Sequence, residues 1–206
     1  MTPVLTGYLG DNSDLFKNAF PMFVEDGSDV LDMTFGLGVF WKQLDQSKYK
    51  LIRNDIDASR GDIHEDFRKM SLPSEYFDAV VLDPPYASRG GVRGIKPSID
   101  RGYNNHAKAF QLGIVGNAKT MQFYRDGMTE ACRLLKDGGL LFVKCMDEIM
   151  SGKQHRNHIT ILNFALEMGL TDVDMFILLQ KTTPTMRHTY QLHARKNNSF
   201  LWVFGK

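Results

Sequence analysis

Short apolar runs recur along this chain between longer amphipathic segments. Residues 14–24 set Leu15, Ala19, Phe20 and Phe23 on one face at helical spacing, interrupted by Pro21. Residues 28–32 read as a strand, 39–46 as a helix and 49–53 as a second strand, which together predict a first βαβ unit. Residues 62–64 are a short candidate for a third strand, reached by a crossover shorter than the dozen or so residues a parallel connection usually needs. The run 77–82 is apolar almost throughout and ends at Asp83, as strands buried on both faces do. Residues 121–135 predict a helix closed by Lys136-Asp137-Gly138-Gly139, then come a strand over 140–144 and a helix over 153–168 that stops at Gly169. Strands over 174–179 and 200–204 finish the pattern. Alternating βα units with a strand-rich end predict one α/β domain over 1–206, a three-layer sandwich around a mostly parallel sheet.

Composition narrows the reading. At 206 residues the chain suits one sizeable core, and 43% hydrophobic with 24% charged residues exclude disorder and fibrous repeats as whole-chain readings. No apolar run approaches a membrane span and the amino end lacks a basic then apolar leader, so the expectation is a soluble, cytoplasmic protein. Cys132 and Cys145 have no zinc-type spacing and read as core thiols. His155 and His158 lack a third ligand and read as a solvent-facing helix, so no metal is expected. The net charge of +1 hides a segregation: residues 1–86 hold 8 Lys and Arg against 15 Asp and Glu, whereas 87–206 hold 17 against 9. The carboxyl-terminal part is therefore the side suited to an anion.

Ligands of open parallel sheets sit at the carboxyl ends of the strands, which directs attention to three motifs. Asp32-Met33-Thr34-Phe35-Gly36-Leu37-Gly38 follows the first βαβ strand. Its glycines permit a tight turn and close backbone approach to a ligand, although Trp41 breaks the full dinucleotide fingerprint. Asp55, in Arg53-Asn54-Asp55-Ile56-Asp57, ends the next strand where a carboxylate can accept from both hydroxyls of a ribose; a solvated turn acid is the plainer alternative. Asp83-Pro84-Pro85-Tyr86 follows the buried run, and four specified residues arise by chance in about one such chain in a thousand. The Asp83 carboxylate and the Pro84 carbonyl can each accept one hydrogen of a substrate amino group. Acceptors so aimed favour a pyramidal nitrogen and stabilise the positive charge that grows on it during alkyl transfer. Tyr86 offers a flat face for a ring taken out of its stack.

These motifs in this order, with Asp66-Phe67 and Leu134-Leu135-Lys136-Asp137-Gly138-Gly139, resemble the class I S-adenosylmethionine-dependent amino-methyltransferases. In particular they look like the small bacterial and phage DNA methylases that modify adenine N6 or cytosine N4, over about residues 10–145. The resemblance implies a Rossmann-like sheet with an antiparallel carboxyl-terminal strand. It also implies S-adenosylmethionine as cofactor, with Asp32, Thr34, Phe35, Gly36 and Gly38 at its methionine part, Asp55 at its ribose, and Asp66 with Phe67 at its adenine. Asp83, Pro84, Pro85 and Tyr86 become the catalytic tetrad. Asp in its first position is commoner in the adenine-N6 enzymes, Ser in those acting on cytosine N4. Residues 55–66 are shortened relative to the family, and no separate target-recognition domain is present.

The substrate reader is expected in residues 87–124, a glycine-rich basic loop with Arg89, Arg93, Lys96, Arg101, Lys108 and Lys119 against the single acid Asp100, joined by Arg195 and Lys196 near the carboxyl end. Any one of these reads first as a solvated surface charge; their clustering points to nucleic acid, DNA first and RNA second. Lys144 and Asp147, after the strand at 140–144, line the same cleft or serve packing. The expected activity is adenine-N6 methylation of DNA. The rivals are cytosine-N4 methylation, RNA methylation at adenine N6 or guanine N2, and a silent nucleic-acid-binding subunit that keeps the fold.

Overall fold

The structure, a computed structural model, describes residues 3–84, 116–150, 152–180, 193–194 and 196–206. Its strands are β1 (Gly7–Gly10), β2 (Asp29–Asp32), β3 (Lys50–Arg53), β4 (Phe77–Leu82), β5 (Leu135–Cys145), β6 (Glu148–Met150), β7 (Lys153–His155), β8 (Thr171–Gln180) and β9 (Asn198–Gly205). The helices are α1 (Asn12–Ala19), α2 (Asn117–Leu134) and α3 (Asn157–Glu167). Seven strands form one sheet in the order β1-β8-β9-β5-β4-β2-β3. Pairings are parallel from β3 through β5 and between β1 and β8, and β9 is antiparallel to both β5 and β8.

Strand alternation sends successive side chains to opposite layers. Leu31, Val80, Leu82, Leu141 and Val143 pack with Tyr124, Met128 and Ala131 of α2 and Ile161 and Ala165 of α3. Val30, Ala79, Val81, Phe142, Leu201 and Val203 pack on the other side with Leu15, Phe16 and Ala19 of α1 and with Phe40 and Trp41. The expected three layers and antiparallel carboxyl-terminal strand are both present.

Helix α1 begins where Asp11 accepts from the N–H groups of Ser13 and Asp14 while Asp14 accepts from that of Asp11, a reciprocal cap. It gives way to a 3-10 turn at Phe20–Met22, where Pro21 stands. Phe16 stacks on Phe20 at 4.7 Å and on Phe40 at 4.8 Å, with Trp41 edge-on at 5.1 Å. This aromatic cluster anchors the segment after the glycine turn under the sheet.

Four sequence expectations are revised. The helix expected over 39–46 is two 3-10 turns, Phe40–Gln43 and Gln46–Lys48, because Asp45 accepts from the Ser47 N–H and starts a new turn before β3. The candidate strand at 62–64 is a single parallel bridge between Ile63 and Asn54. The helix expected from 153 starts at Asn157, since Lys153–His155 pairs antiparallel with Glu148–Met150 as a hairpin in which Gly152 takes φ +74°. Residues 117–124 of the expected basic loop are the first turns of α2. Strand β1 was unforeseen.

Candidate functional site

Strands β2, β3 and β4 end together. The Asn54 N–H donates to the Asp32 carbonyl (2.8 Å), the Met33 N–H to Val81 (3.0 Å) and the Phe35 N–H to Asn54 (2.9 Å), so the chain leaving β2 stays clamped between its neighbours. It then turns through Gly36 (φ +58°) and Gly38 (φ +63°), the left-handed region that side chains resist. A Cβ at Gly38 would lie 2.6 Å from the Phe35 ring. Both glycines are thus required by the backbone itself.

Three carboxylates converge on this turn. Asp32, 2% exposed, accepts from the Thr34 N–H (2.9 Å) and from Trp41 Nε1 (2.7 Å). Burial pushes its pKa up to about 7, opposed by those two donors and reinforced by the charges of Asp83 and Asp55. Asp55 accepts from the Gly36 N–H (3.0 Å) and the Asp57 N–H (2.8 Å), joining the end of β3 to the glycine turn. The backbone N–H of Asp83 donates to Thr34 Oγ1 (2.7 Å), which ties the start of the Asp-Pro-Pro-Tyr motif to the same turn. The structure therefore brings Asp32, Thr34, Phe35, Gly36, Gly38, Asp55 and Asp83 to one rim, with Pro84 following.

Asp66 and Phe67 reach that rim indirectly. Asn54 donates to the carbonyls of Met33 (2.9 Å) and Glu65 (3.0 Å) and accepts from the Glu65 N–H (2.8 Å), fastening residue 65 beside the end of β3. The Asp66 carboxylate is gripped by Arg68, which holds its pKa below the usual carboxylate range, and Arg68 lies over the Phe123 ring at 4.3 Å. Phe67 is packed edge-on to Phe123 at 5.2 Å, against Gly127 of α2.

Sequence reasoning missed two members. Asn54 is buried and holds three segments, but its partners are backbone groups distant in sequence, invisible to motif inspection. Trp41, which spoils the dinucleotide fingerprint, is the residue that holds Asp32. At the end of β5, Lys144 is 2% exposed and donates to Ser199 Oγ (2.5 Å). Asp147 is buried and pairs with His158 Nδ1 (2.6 Å), whose ring stacks on Phe200 at 4.3 Å. The solvent-facing helix expected for the histidines is corrected accordingly: His155 is in β7, and the His158 side chain is only 20% exposed.

Pro85, Tyr86, Arg89, Arg93, Lys96, Arg101, Lys108 and Arg195 lie outside the described residues, while Lys196 is described and half-buried. Among the described residues no group of His, Cys, Asp or Glu is placed to hold a metal, and no helix is long and apolar enough to cross a membrane. Burial raises the pKa of both Cys132 and Cys145 thiols.

No protein-family model matches the chain, and no curated protein matches it. Solved structures do. A SAM-dependent methyltransferase from Methanosarcina mazei superposes with a TM-score of 0.55 at 10% identity, over 91% of this chain and 96% of that one. A TehB-like SAM-dependent methyltransferase from Corynebacterium glutamicum gives 0.51 at 12% identity, over 93% and 86%. TrmN from Thermus thermophilus gives 0.53 at 14% identity over 93% of this chain, which spans 48% of TrmN. At such identities the likeness is one of fold: the chain has the Rossmann-like class I methyltransferase architecture.

Proposed function

We propose that this protein is an S-adenosylmethionine-dependent amino-methyltransferase acting on a nucleic-acid base, with adenine N6 in DNA as its first substrate. The observation that carries the reading is the tie between Asp83 and the glycine turn through Thr34. In one connected backbone, that bond joins the segment suited to a cofactor with the segment suited to an amino group.

The residues present fit the cofactor. The positive φ values at Gly36 and Gly38 leave a turn without side chains along the rim. A cationic amino group beside Asp32 would favour the ionised form that burial alone disfavours. Asp55 stands at the end of the next strand for a ribose, and Asp66 with Phe67 is assigned to the adenine. When bound, S-adenosylmethionine supplies an electrophilic methyl group on a sulfonium.

The chain's own part is orientation. Asp83 Oδ and the Pro84 carbonyl accept the two N–H groups of the substrate amine, turning its lone pair out of conjugation and toward the methyl group. Pro84 and Pro85 have no N–H to compete for acceptors, and Thr34 Oγ1 fixes the entry to the motif by accepting from the Asp83 N–H. Tyr86 supplies the stacking face for the flipped base, and Arg89, Arg93, Lys96, Arg101, Lys108, Arg195 and Lys196 supply phosphate contacts. The proton leaves the nitrogen readily once it is quaternised.

Incubation with labelled S-adenosylmethionine and either genomic DNA or total RNA, followed by nucleoside mass spectrometry, tests this. Label in N6-methyladenine of DNA is expected. Label in RNA moves the assignment to the RNA reading, and none in either polymer removes it. Asp83→Ala is expected to lower turnover by at least about a hundredfold, the scale of losing one aimed acceptor, while cofactor binding by calorimetry stays within a few-fold.

A further inference from the structure

Lys144 is the only buried lysine or arginine among the described residues. Parallel register pairs Leu82 with Val143, so Asp83, the first residue past the end of β4, follows beside Lys144 of β5, where the strand axes are about 5 Å apart. Strand alternation also sets them on one face. Val30, Val81, Phe142 and Leu201 all belong to the α1-side core, and two residues further along β2, β4 and β5 stand Asp32, Asp83 and Lys144. Ser199 precedes Leu201 by two on β9 and is the residue that Lys144 Nζ reaches.

An ammonium has three donors, and a buried one requires a counter-charge as well as a hydroxyl. Burial works to discharge Lys144, and the charge that most opposes this is Asp83. Asp83 in turn stands near the buried carboxylate of Asp32, on which its charge acts. Among the described residues, the Cys145 thiol also acts on Lys144, Asp147 lies beyond it on the β5 side, and the Tyr124 hydroxyl of α2 donates to the Lys144 carbonyl (2.8 Å).

We propose that Lys144 is a positioning residue for the reaction: its ammonium, anchored on Ser199 at the end of β5, is a counter-charge that helps keep Asp83 an ionised acceptor beside Asp32. The catalytic meaning rests on the methyltransferase reading; the charge pairing does not.

Lys144→Met keeps the length of the side chain and removes its charge. The acid limb of the pH–rate profile is expected to move up by about one to three pH units, the usual effect of losing an adjacent opposite charge, with turnover recovering at high pH and cofactor affinity unchanged. Ser199→Ala, a smaller perturbation, is expected to move the limb in the same direction by less, and it serves where Lys144→Met does not fold. A merely structural lysine predicts a fall in turnover at every pH with the limb in place, and that result in a folded variant overturns the proposal. Carbon-13 titration of labelled aspartates, with Asp83→Asn identifying the resonance, reads the pairing without turnover. If the Asp83 midpoint rises in Lys144→Met while the parent transfers no methyl to any polymer, the pairing stands and the methyltransferase reading fails. An unmoved midpoint overturns the pairing itself.

Discussion

At the scale of single residues, Asp32 has a consequence for stability. Its pKa in the fold is raised to about 7, chiefly by burial. The native chain therefore binds this proton more tightly than the unfolded chain, and stability falls as pH rises from the ordinary aspartate range through 7, the loss being complete above it. Asp32→Asn removes the titration. The melting temperature of the variant relative to the parent is expected to climb between pH 4.5 and pH 8, and a flat difference across that range contradicts the assignment. The candidate carboxylates and glycines were legible in sequence because their chemistry is local: a carboxylate at a strand end, a backbone that needs positive φ. Asn54, Trp41 and Lys144 were less legible because each acts through a partner brought close only by the sheet. Asn54 bonds to Met33 and Glu65, 21 and 11 positions away, and Lys144 to Ser199, 55 away.

At the scale of elements, Gly127 shows how closely α2 lies on the sheet. It sits in a helix interior, where alanine is ordinarily better by about 1 kcal/mol. A Cβ there would fall 2.6 Å from Phe67 Cε2 and 3.3 Å from Leu82 Cδ1. Gly127→Ala is expected to destabilise by about 1–3 kcal/mol through overpacking, outweighing the helix propensity, and, on the adenine contact proposed for Phe67, to lower cofactor affinity by displacing that ring. Phe67→Leu in the same chain is expected to restore part of the stability; denaturant titration of the single and double variants measures both. The pattern of apolar runs located β2 through β5, β8 and β9 because each packs apolar side chains at least partly into the core. It failed for β1, whose Gly7-Tyr8-Leu9-Gly10 is too short to show alternation, packs only Tyr8 partly against the core while Leu9 stays exposed, and is held by backbone pairing to β8. It failed also at 153–155, where amphipathic spacing continued past a Gly152 that the hairpin uses.

At the scale of the whole molecule, the segregation of charge bears on the nucleic-acid substrate proposed above. The net charge of +1 gives little long-range attraction, so recognition of a polyanion has to come from the local excess of 17 Lys and Arg over 9 Asp and Glu in residues 87–206. Within the described part, Lys153 and Arg156 are exposed on the hairpin segment that follows β5, and so stand on the side of the sheet where β4 ends at Asp83. If the basic residues hold about four to six phosphates, displaced counterions make the affinity for nucleic acid fall on the order of 10²–10³ between 50 and 200 mM salt. Fluorescence anisotropy with a labelled duplex and a labelled single strand measures the slope. Affinity that holds within about threefold over that range assigns recognition to uncharged contacts, since even one counterion released from a duplex produces a change of about three-and-a-half-fold. A polymer held in that way has no use for the clustered cations, and the substrate would then be a small amine or a protein side chain.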